Sequence, residues 1–342
     1  MKIKSLKIIL GICLTLLPTQ LQVSASNAAT ALSCVNNLTE LATIERPEIQ
    51  VCPGAIFDIE FEDGVIIALP DPGFETTYSQ INLDGSEISH KVGLSSEYIL
   101  SIEAVENSNS HSSLIDNPRY LTTLFTDGGG DAGLGDIGCL FSTYSSSGTR
   151  FHGTFNWYYD PRGESSPRAL SRILDGLGYW QTPVNRCDGS TFSTNFKAKY
   201  LGVSTSKQSR VGATGCTGPF DGQNLVSWKN RGSNSLLGAT CRNVNSNATR
   251  ITEADIIFNT YWIDSYYDQE DAAACPRMEY LLANIAAHEF GHALGLEHVN
   301  SSTRQIMSTN AIYCTLDKPG LAPGDYSGLM QIYGLDNSNV AI

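Results

Sequence analysis

The sequence predicts an α+β protein in which a small β-rich domain precedes a larger domain of mixed strands and helices. Short apolar runs separated by turn residues fill positions 26–140, without a stretch of clear helical periodicity. From position 149 onward, strand-like runs alternate with segments whose apolar residues recur at helical spacing. Hydrophobic residues make up 41% of the chain and charged residues 17%, which indicates a globular rather than a disordered protein.

The β-rich part, residues 26–140, admits two interpretations that the sequence leaves open. It is either a domain retained beside the rest of the protein or a propeptide. The glycine-rich stretch 127–133 is a predicted boundary or processing site, because glycines there make the chain flexible. The predicted strands are 55–61, 65–69 and 98–105, and the predicted turns are 63–64, 71–73 and 84–85.

The mixed part, residues 149–336, is predicted to hold a sheet and three helices. The first helix is predicted over 165–180, with Ser166 as a candidate N-cap before Pro167. The second is predicted over 278–294 and the third over 325–333. The predicted strands are 151–159, 199–204, 225–228, 236–241 and 255–258.

The first 25 residues read as a secretory signal peptide. Three lysines precede an apolar run over 8–17 that is short for a membrane span, and 23–25 offers small residues for cleavage. Loss of those lysines takes the formal charge from −13 to −16. Such acidity argues against nucleic acid and anionic membranes as partners. It fits a solubility role, and the alternative is that some carboxylates hold Ca²⁺.

Eight cysteines remain once Cys13 leaves with the signal peptide, and an even number in an oxidising compartment predicts four disulfides. We hypothesise a Cys275–Cys314 bridge, because these two residues bracket the second helix and the segment after it. Cys139 is interpreted as a disulfide cysteine rather than a ligand that caps a metal. The eight are Cys34, Cys52, Cys139, Cys187, Cys216, Cys241, Cys275 and Cys314.

Three histidines in and after the second helix form the strongest functional pattern. His288 and His292 are four residues apart, so their imidazoles lie on one helix face and can reach one ion. Gly295 allows a sharp end to the helix, after which the turn brings round His298. Three imidazole ligands with an open fourth position are typical of a catalytic Zn²⁺ site. Glu289, one position after the first histidine, is placed to act on a water molecule at that ion.

This HExxHxxGxxH pattern resembles that of the metzincin clan of zinc peptidases, whose motif is followed by a methionine turn. Met307, nine residues past His298, fits that turn. Within the clan the chain is most similar to matrixins, at segments 251–256 and 324–334. The resemblance covers about residues 150–335. It implies a metzincin-like α+β catalytic domain with a twisted mixed sheet, three main helices and a methionine turn.

Several positions depart from the family pattern. Val299 follows the third histidine where matrixins usually carry serine, and Thr309 stands where some relatives place a tyrosine ligand. The other histidines, His90, His111 and His152, all precede Arg162, so the second zinc site of animal matrixins is not expected. A PRCGxxD cysteine switch is also absent from the sequence.

The expected function is that of a secreted zinc-dependent endopeptidase with Glu289 as general base and a protein or peptide as substrate. By analogy, substrate is expected to add as a strand along a sheet edge at 236–241. The alternative is a secreted zinc-binding protein without catalysis, an adhesion or carbohydrate-binding protein on a peptidase fold. No integral membrane anchor is expected, and the oligomeric state stays open.

Overall fold

The computed structural model describes central strands, three helices and the histidine motif of this chain. The described residues are 34–36, 49–61, 63–82, 87–106, 143–164, 166–181, 184–185, 191–233, 236–245, 249–269, 274–276, 279–299, 305–308 and 321–334. The predicted signal peptide, the glycine-rich stretch 127–133, Cys139, Cys314 and Thr309 lie outside this set.

The first part of the described chain consists of short and medium strands. Three of them, β1, β4 and β5, were not predicted: β1 has only two residues, and the alternation of polar and apolar residues in β4 and β5 is irregular. The strands are β1 (Ile49–Gln50), β2 (Asp58–Glu60), β3 (Ile66–Ala68), β4 (Phe74–Asn82), β5 (Glu87–Leu94) and β6 (Ile99–Glu106).

The second part mixes strands and helices as predicted. It runs through β7 (Ser145–Ser146), β8 (Thr154–Tyr159), helix α1 (Ala169–Gln181), β9 (Val184–Asn185), β10 (Thr191–Phe192), β11 (Lys197–Val203), β12 (Gly215–Cys216), β13 (Asn224–Lys229), β14 (Leu236–Asn245) and β15 (Ile251–Asn259). After a 3₁₀ helix (Thr260–Ser265) follow β16 (Tyr266–Tyr267), β17 (Tyr280–Leu281), helix α2 (Leu282–Ala293), β18 (Leu296–Glu297) and helix α3 (Pro323–Tyr333). Helix α2 begins later than predicted because Tyr280–Leu281 pairs with Tyr266–Tyr267 instead.

One nine-stranded sheet joins both parts of the chain. Its order is β1-β6-β5-β4-β14-β15-β13-β8-β11. Strands β11, β8, β13 and β15 are parallel neighbours, whereas β14 and all strands beyond it are antiparallel. The expectation of a free sheet edge at 236–241 is wrong, because β4 pairs with β14 from Leu236 to Asn245. The predicted boundary between 140 and 149 stays a prediction.

Each face of this sheet carries its own apolar core. The helices cover one face, where Trp157, Phe258 and Phe290 are among the buried residues. The opposite face buries Tyr78 and Val92 against residues of β14 and β15. Because side chains alternate along a strand, β14 contributes to both layers. The second core therefore contains residues from both parts of the chain.

Helices α1 and α2 pack at close range beneath the sheet. A Cβ atom on Gly176 of α1 would lie 2.4 Å from the carbonyl oxygen of Ala283, so only glycine permits this approach. The indole of Trp180 donates a hydrogen bond of 2.9 Å to the carbonyl of Ala287. These contacts fix α2, which carries the histidine motif, against the rest of the protein.

Two disulfides lie within the described residues, Cys34–Cys52 and Cys216–Cys241. The second one ties β12 to β14 on the face opposite the helices. Cys275 is also disulfide-bonded. Because Cys314 lies outside the described residues, the Cys275–Cys314 bridge stays a hypothesis. None of the helices in the described ranges has the length and apolar character needed to cross a membrane.

Candidate metal centre

Helix α2 presents two buried imidazoles from successive turns. Nδ1 of His288 lies 2.6 Å from the carbonyl oxygen of Ile306, and Nδ1 of His292 lies 3.1 Å from that of Leu296. A carbonyl oxygen only accepts hydrogen bonds, so each Nδ1 must carry the hydrogen. Each Nε2 then holds the lone pair that a metal ligand requires.

The third imidazole reaches the same place through a tight turn after α2. Gly295 adopts φ of +102°, and a Cβ atom there would lie 2.2 Å from the carbonyl oxygen of Thr149. Leu296–Glu297 then pairs with Ser145–Ser146 as a short antiparallel ladder. This ladder holds His298 beside the helix, as the predicted role of Gly295 requires.

The three imidazoles converge on one point. Nε2 of His292 lies 3.0 Å from Nε2 of His288 and 2.6 Å from Nε2 of His298. Lone pairs on His288 and His292 that face each other at this distance repel, unless a cation accepts both. The donor set therefore fits a divalent transition metal such as Zn²⁺, which prefers imidazole nitrogen.

Burial favours the neutral, ligating form of these side chains. Burial lowers the pKa of His288, and it lowers the pKa of His292 more strongly, with further lowering from the charges of His298 and His288. Among the described residues, these three form a group of metal-ligating side chains whose ligand atoms lie within 4.8 Å of one another.

Glu289 lies beside the triad, wholly buried and held by β14. The hydroxyl of Thr240 is 2.6 Å from Oε2 of Glu289 and 3.1 Å from its backbone oxygen. A Cβ atom on Gly238 would lie 2.6 Å from Oε1 of the same carboxylate. Thr240 and Gly238 therefore set the orientation of Glu289, and neither was singled out from the sequence.

Met307 packs against helix α2 at Gly291. A Cβ atom on Gly291 would lie 2.2 Å from Sδ of Met307, so the glycine between His288 and His292 makes room for the thioether. The carbonyl of Met307 accepts a hydrogen bond of 2.8 Å from the backbone N–H of Val299. The assignment of Met307 to a methionine turn stays a prediction.

Asp325, near the start of α3, anchors the segment around Met307. Its carboxylate accepts hydrogen bonds of 2.9–3.0 Å from the backbone N–H groups of Ile306, Met307 and Ala322. Burial raises the pKa of Asp325 to about 6, although these N–H groups act in the opposite direction. Asp325 belongs to the segment 324–334 that is similar to matrixins, but its role as a hydrogen-bond acceptor for the segment around Met307 is visible only in the folded chain.

Replacing Asp325 by alanine is expected to lower the thermal unfolding midpoint, because three buried N–H groups would lose their acceptor. Each unsatisfied group costs about 1–3 kcal/mol. The unfolding midpoint of Asp325→Asn should lie between those of wild type and Asp325→Ala. Its amide oxygen can still accept hydrogen bonds from the N–H groups of Ile306 and Ala322, but its NH₂ group faces the N–H of Met307 and cannot accept from it. Calorimetry of the metal-free proteins measures the order, with exposed Asp264→Ala as control. Equal midpoints for all four proteins would contradict this role.

Arg242 of β14 links the helix to the third histidine. One guanidinium nitrogen donates to the carbonyl of His292 at 2.7 Å, and another contacts the Glu297 carboxylate at 2.5 Å. The arginine is buried and Glu297 is partly exposed. The fork therefore joins the last turn of α2 to the ladder that carries His298. Sequence reasoning missed it because the contact joins residues far apart in the chain.

Comparison with known proteins places the similarity on this half of the chain. Residues 212–334 match the family model of Matrixin. Matrix metalloproteinase-27 of Tupaia belangeri is 37% identical over 71 residues, which is 21% of this chain and 14% of that protein. Neutrophil collagenase of Homo sapiens is 34% identical over 77 residues, 22% of this chain and 16% of that protein. The aligned part is thus a small fraction of either relative.

A solved structure, metalloproteinase-II from Bacteroides fragilis, is 12% identical and aligns over 86% of this chain and 94% of that chain, with a TM-score of 0.31. A TM-score of that size does not support a comparison of the two folds. The match of residues 212–334 contains Glu289, the three histidines and Met307. The predicted resemblance is confirmed to this extent: residues 212–334 are matrixin-like.

Proposed function

We propose that this chain is a secreted zinc-dependent endopeptidase in which His288, His292 and His298 hold Zn²⁺ and Glu289 is the general base. The observation that carries the proposal is the convergence of three Nε2 atoms beside a buried carboxylate. Histidine ligands with an adjacent carboxylate are what metal-assisted hydrolysis of an amide requires.

A zinc ion held by the triad would supply Lewis acidity, lowering the pKa of water to about 7 and polarising the carbonyl to be cleaved. Glu289 would take the proton of the attacking water on its carboxylate and deliver it to the departing amine. The Thr240 hydroxyl, 2.6 Å from Oε2, keeps that carboxylate in one orientation during both transfers.

The names of the similar proteins support hydrolysis over the alternative of a non-catalytic binding protein. The relatives reported above are a matrix metalloproteinase and a collagenase. Glu289 is present in this chain at the position next to the first histidine, where a decayed enzyme could have lost it. Both features favour an active peptidase.

Secretion is proposed from the first 25 residues and from the disulfides. The bonds Cys34–Cys52 and Cys216–Cys241 are compatible with an oxidising compartment, where such bonds form and persist. Sequencing the amino terminus of the exported protein tests this: a start near residue 26 is expected for a retained β-rich part, and one near 140 for a propeptide.

Metal removal tests the proposed function directly. The purified full chain is expected to contain one zinc ion per molecule, and a chelator should remove both the metal and any cleavage of a mixed peptide library. Adding Zn²⁺ back should restore that cleavage. Elemental analysis that finds no transition metal in the folded, zinc-dialysed protein would rule the proposal out.

A further inference from the structure

Strand β14 forms the rim of the candidate metal centre, and one of its two edges is already paired with β15. The other edge, facing away from β15, is where an extended peptide could add as a further strand next to Glu289. In the folded chain, β4 lies along that edge in antiparallel orientation.

The pairing extends to the position nearest the carboxylate of Glu289. Gly238, whose absent Cβ would lie 2.6 Å from Oε1 of Glu289, is paired with Ile81. Ala239 is paired with Gln80, and Thr240, which donates to Glu289, is paired with Ser79. Ile81 itself is buried in the helix-side core that contains Phe290 of α2. The residues of β4 therefore fill the strand position beside the catalytic carboxylate.

We infer that β4 is the built-in occupant of the β14 edge, the position already expected for a peptide substrate, so that the chain folded in this way is latent. This inference rests on the proposed function, because it assigns the position where a peptide substrate binds. A peptide can pair with β14 only when β4 has left the edge.

Several contacts show that β4 is held firmly. The hydroxyl of Thr76 donates to Asn243 at 2.8 Å and accepts from Arg210 at 3.0 Å, and both bonds are buried. Tyr78 is buried in the core shared with Ala239. Cutting the chain between residues 106 and 143 would leave all these contacts in place. Release of β4 therefore requires its displacement or degradation, and not a single cut alone.

A charge placed at Ile81 should loosen the end of β4 near the site. Ile81→Asp puts a carboxylate into an apolar core beside Glu289, whereas Ile88→Asp puts the same group on β5, which pairs with β4 and not with β14. Ile81→Ala is a milder variant that removes packing without adding charge. Both Ile81 variants are made in the full, zinc-loaded chain, and Ile88→Asp is the matched control.

Two measurements report on the edge. Hydrogen exchange of the β14 amides is expected to be faster in the Ile81 variants than in wild type. The kcat/KM for a quenched peptide should rise about tenfold or more, because the apparent affinity for peptide is proportional to the fraction of molecules in which β4 has left the edge. A synthetic peptide with the sequence of β4, residues 74–82, should restore slow exchange in β14 and inhibit cleavage, while a scrambled peptide should do neither.

The results separate this inference from the proposed function. If no form binds zinc or cleaves peptide, the proposed function fails, but protection of β14 by the β4 peptide would still support the strand position. The inference would be overturned if the folded Ile81 variants exchange faster but neither bind the β4 peptide nor show a higher kcat/KM than wild type and Ile88→Asp. Unchanged exchange in both folded Ile81 variants would overturn it as well.

Discussion

Replacing Glu289 by alanine is expected to abolish peptide hydrolysis while zinc remains bound. The carboxylate lies beside the three Nε2 atoms but is not one of the converging ligand atoms. Loss of a positioned general base typically lowers the rate about 10²–10⁴-fold. Because His288, His292 and His298 are unchanged, the affinity for zinc should stay close to that of wild type.

The measurement is kcat/KM on a quenched peptide together with zinc content of the same preparation. Because β4 lines the β14 edge, the comparison is best made in the Ile81→Asp background as well as in the native chain. Glu103→Ala, which changes a mostly exposed glutamate on β6, is the matched control and should leave both quantities unchanged. Normal turnover in the Glu289→Ala protein would remove this residue from the mechanism.

Replacing His292 by alanine is expected to remove the central ligand of the triad. Its Nε2 is the atom that lies within 3.0 Å of the Nε2 atoms of both other histidines. Loss of groups that only orient a metal ligand costs 10–100-fold in affinity, so loss of the ligand itself should weaken zinc binding by more than about 100-fold. Hydrolysis should be lost with the metal.

Isothermal titration with Zn²⁺ and the zinc-dependent rise of the unfolding midpoint measure this loss, because a ligand that binds only the folded state raises that midpoint. His152→Ala is the matched control, since His152 is exposed and far from the triad in sequence. Tight one-to-one zinc binding by the folded His292→Ala protein would show that the metal site lies elsewhere.

The shared sheet bears on whether residues 26–140 act as a propeptide or as a retained domain. Their strand β4 pairs with β14, and their apolar side chains share a core with Leu236 and Ile257. Removing these residues would expose the sheet face opposite the helices, where Leu236 and Ile257 are buried. A retained segment that gives up its strand position, or one that is degraded, fits these contacts better than a segment that dissociates freely.

The sequence by itself determined the chemistry of the candidate site. A spacing of four residues places His288 and His292 on one helix face, and Gly295 allows the turn toward His298. Both features follow from local backbone geometry, so they could be predicted from the sequence. The α+β character and the positions of the three helices were predictable for the same reason. Helical periodicity and turn residues act over a few positions, and they are visible in a single sequence.

Only the tertiary structure decided what surrounds those residues. Thr240, Arg242 and Asp325 orient the site through contacts with residues 18 to 55 positions away, and no local pattern records them. The pairing of β4 with β14 joins segments that lie more than 150 positions apart, at Ile81 and Gly238. Strand pairing of this kind depends on which strand edges meet in the folded chain. The occupation of the β14 edge by β4 could therefore not be predicted from the sequence.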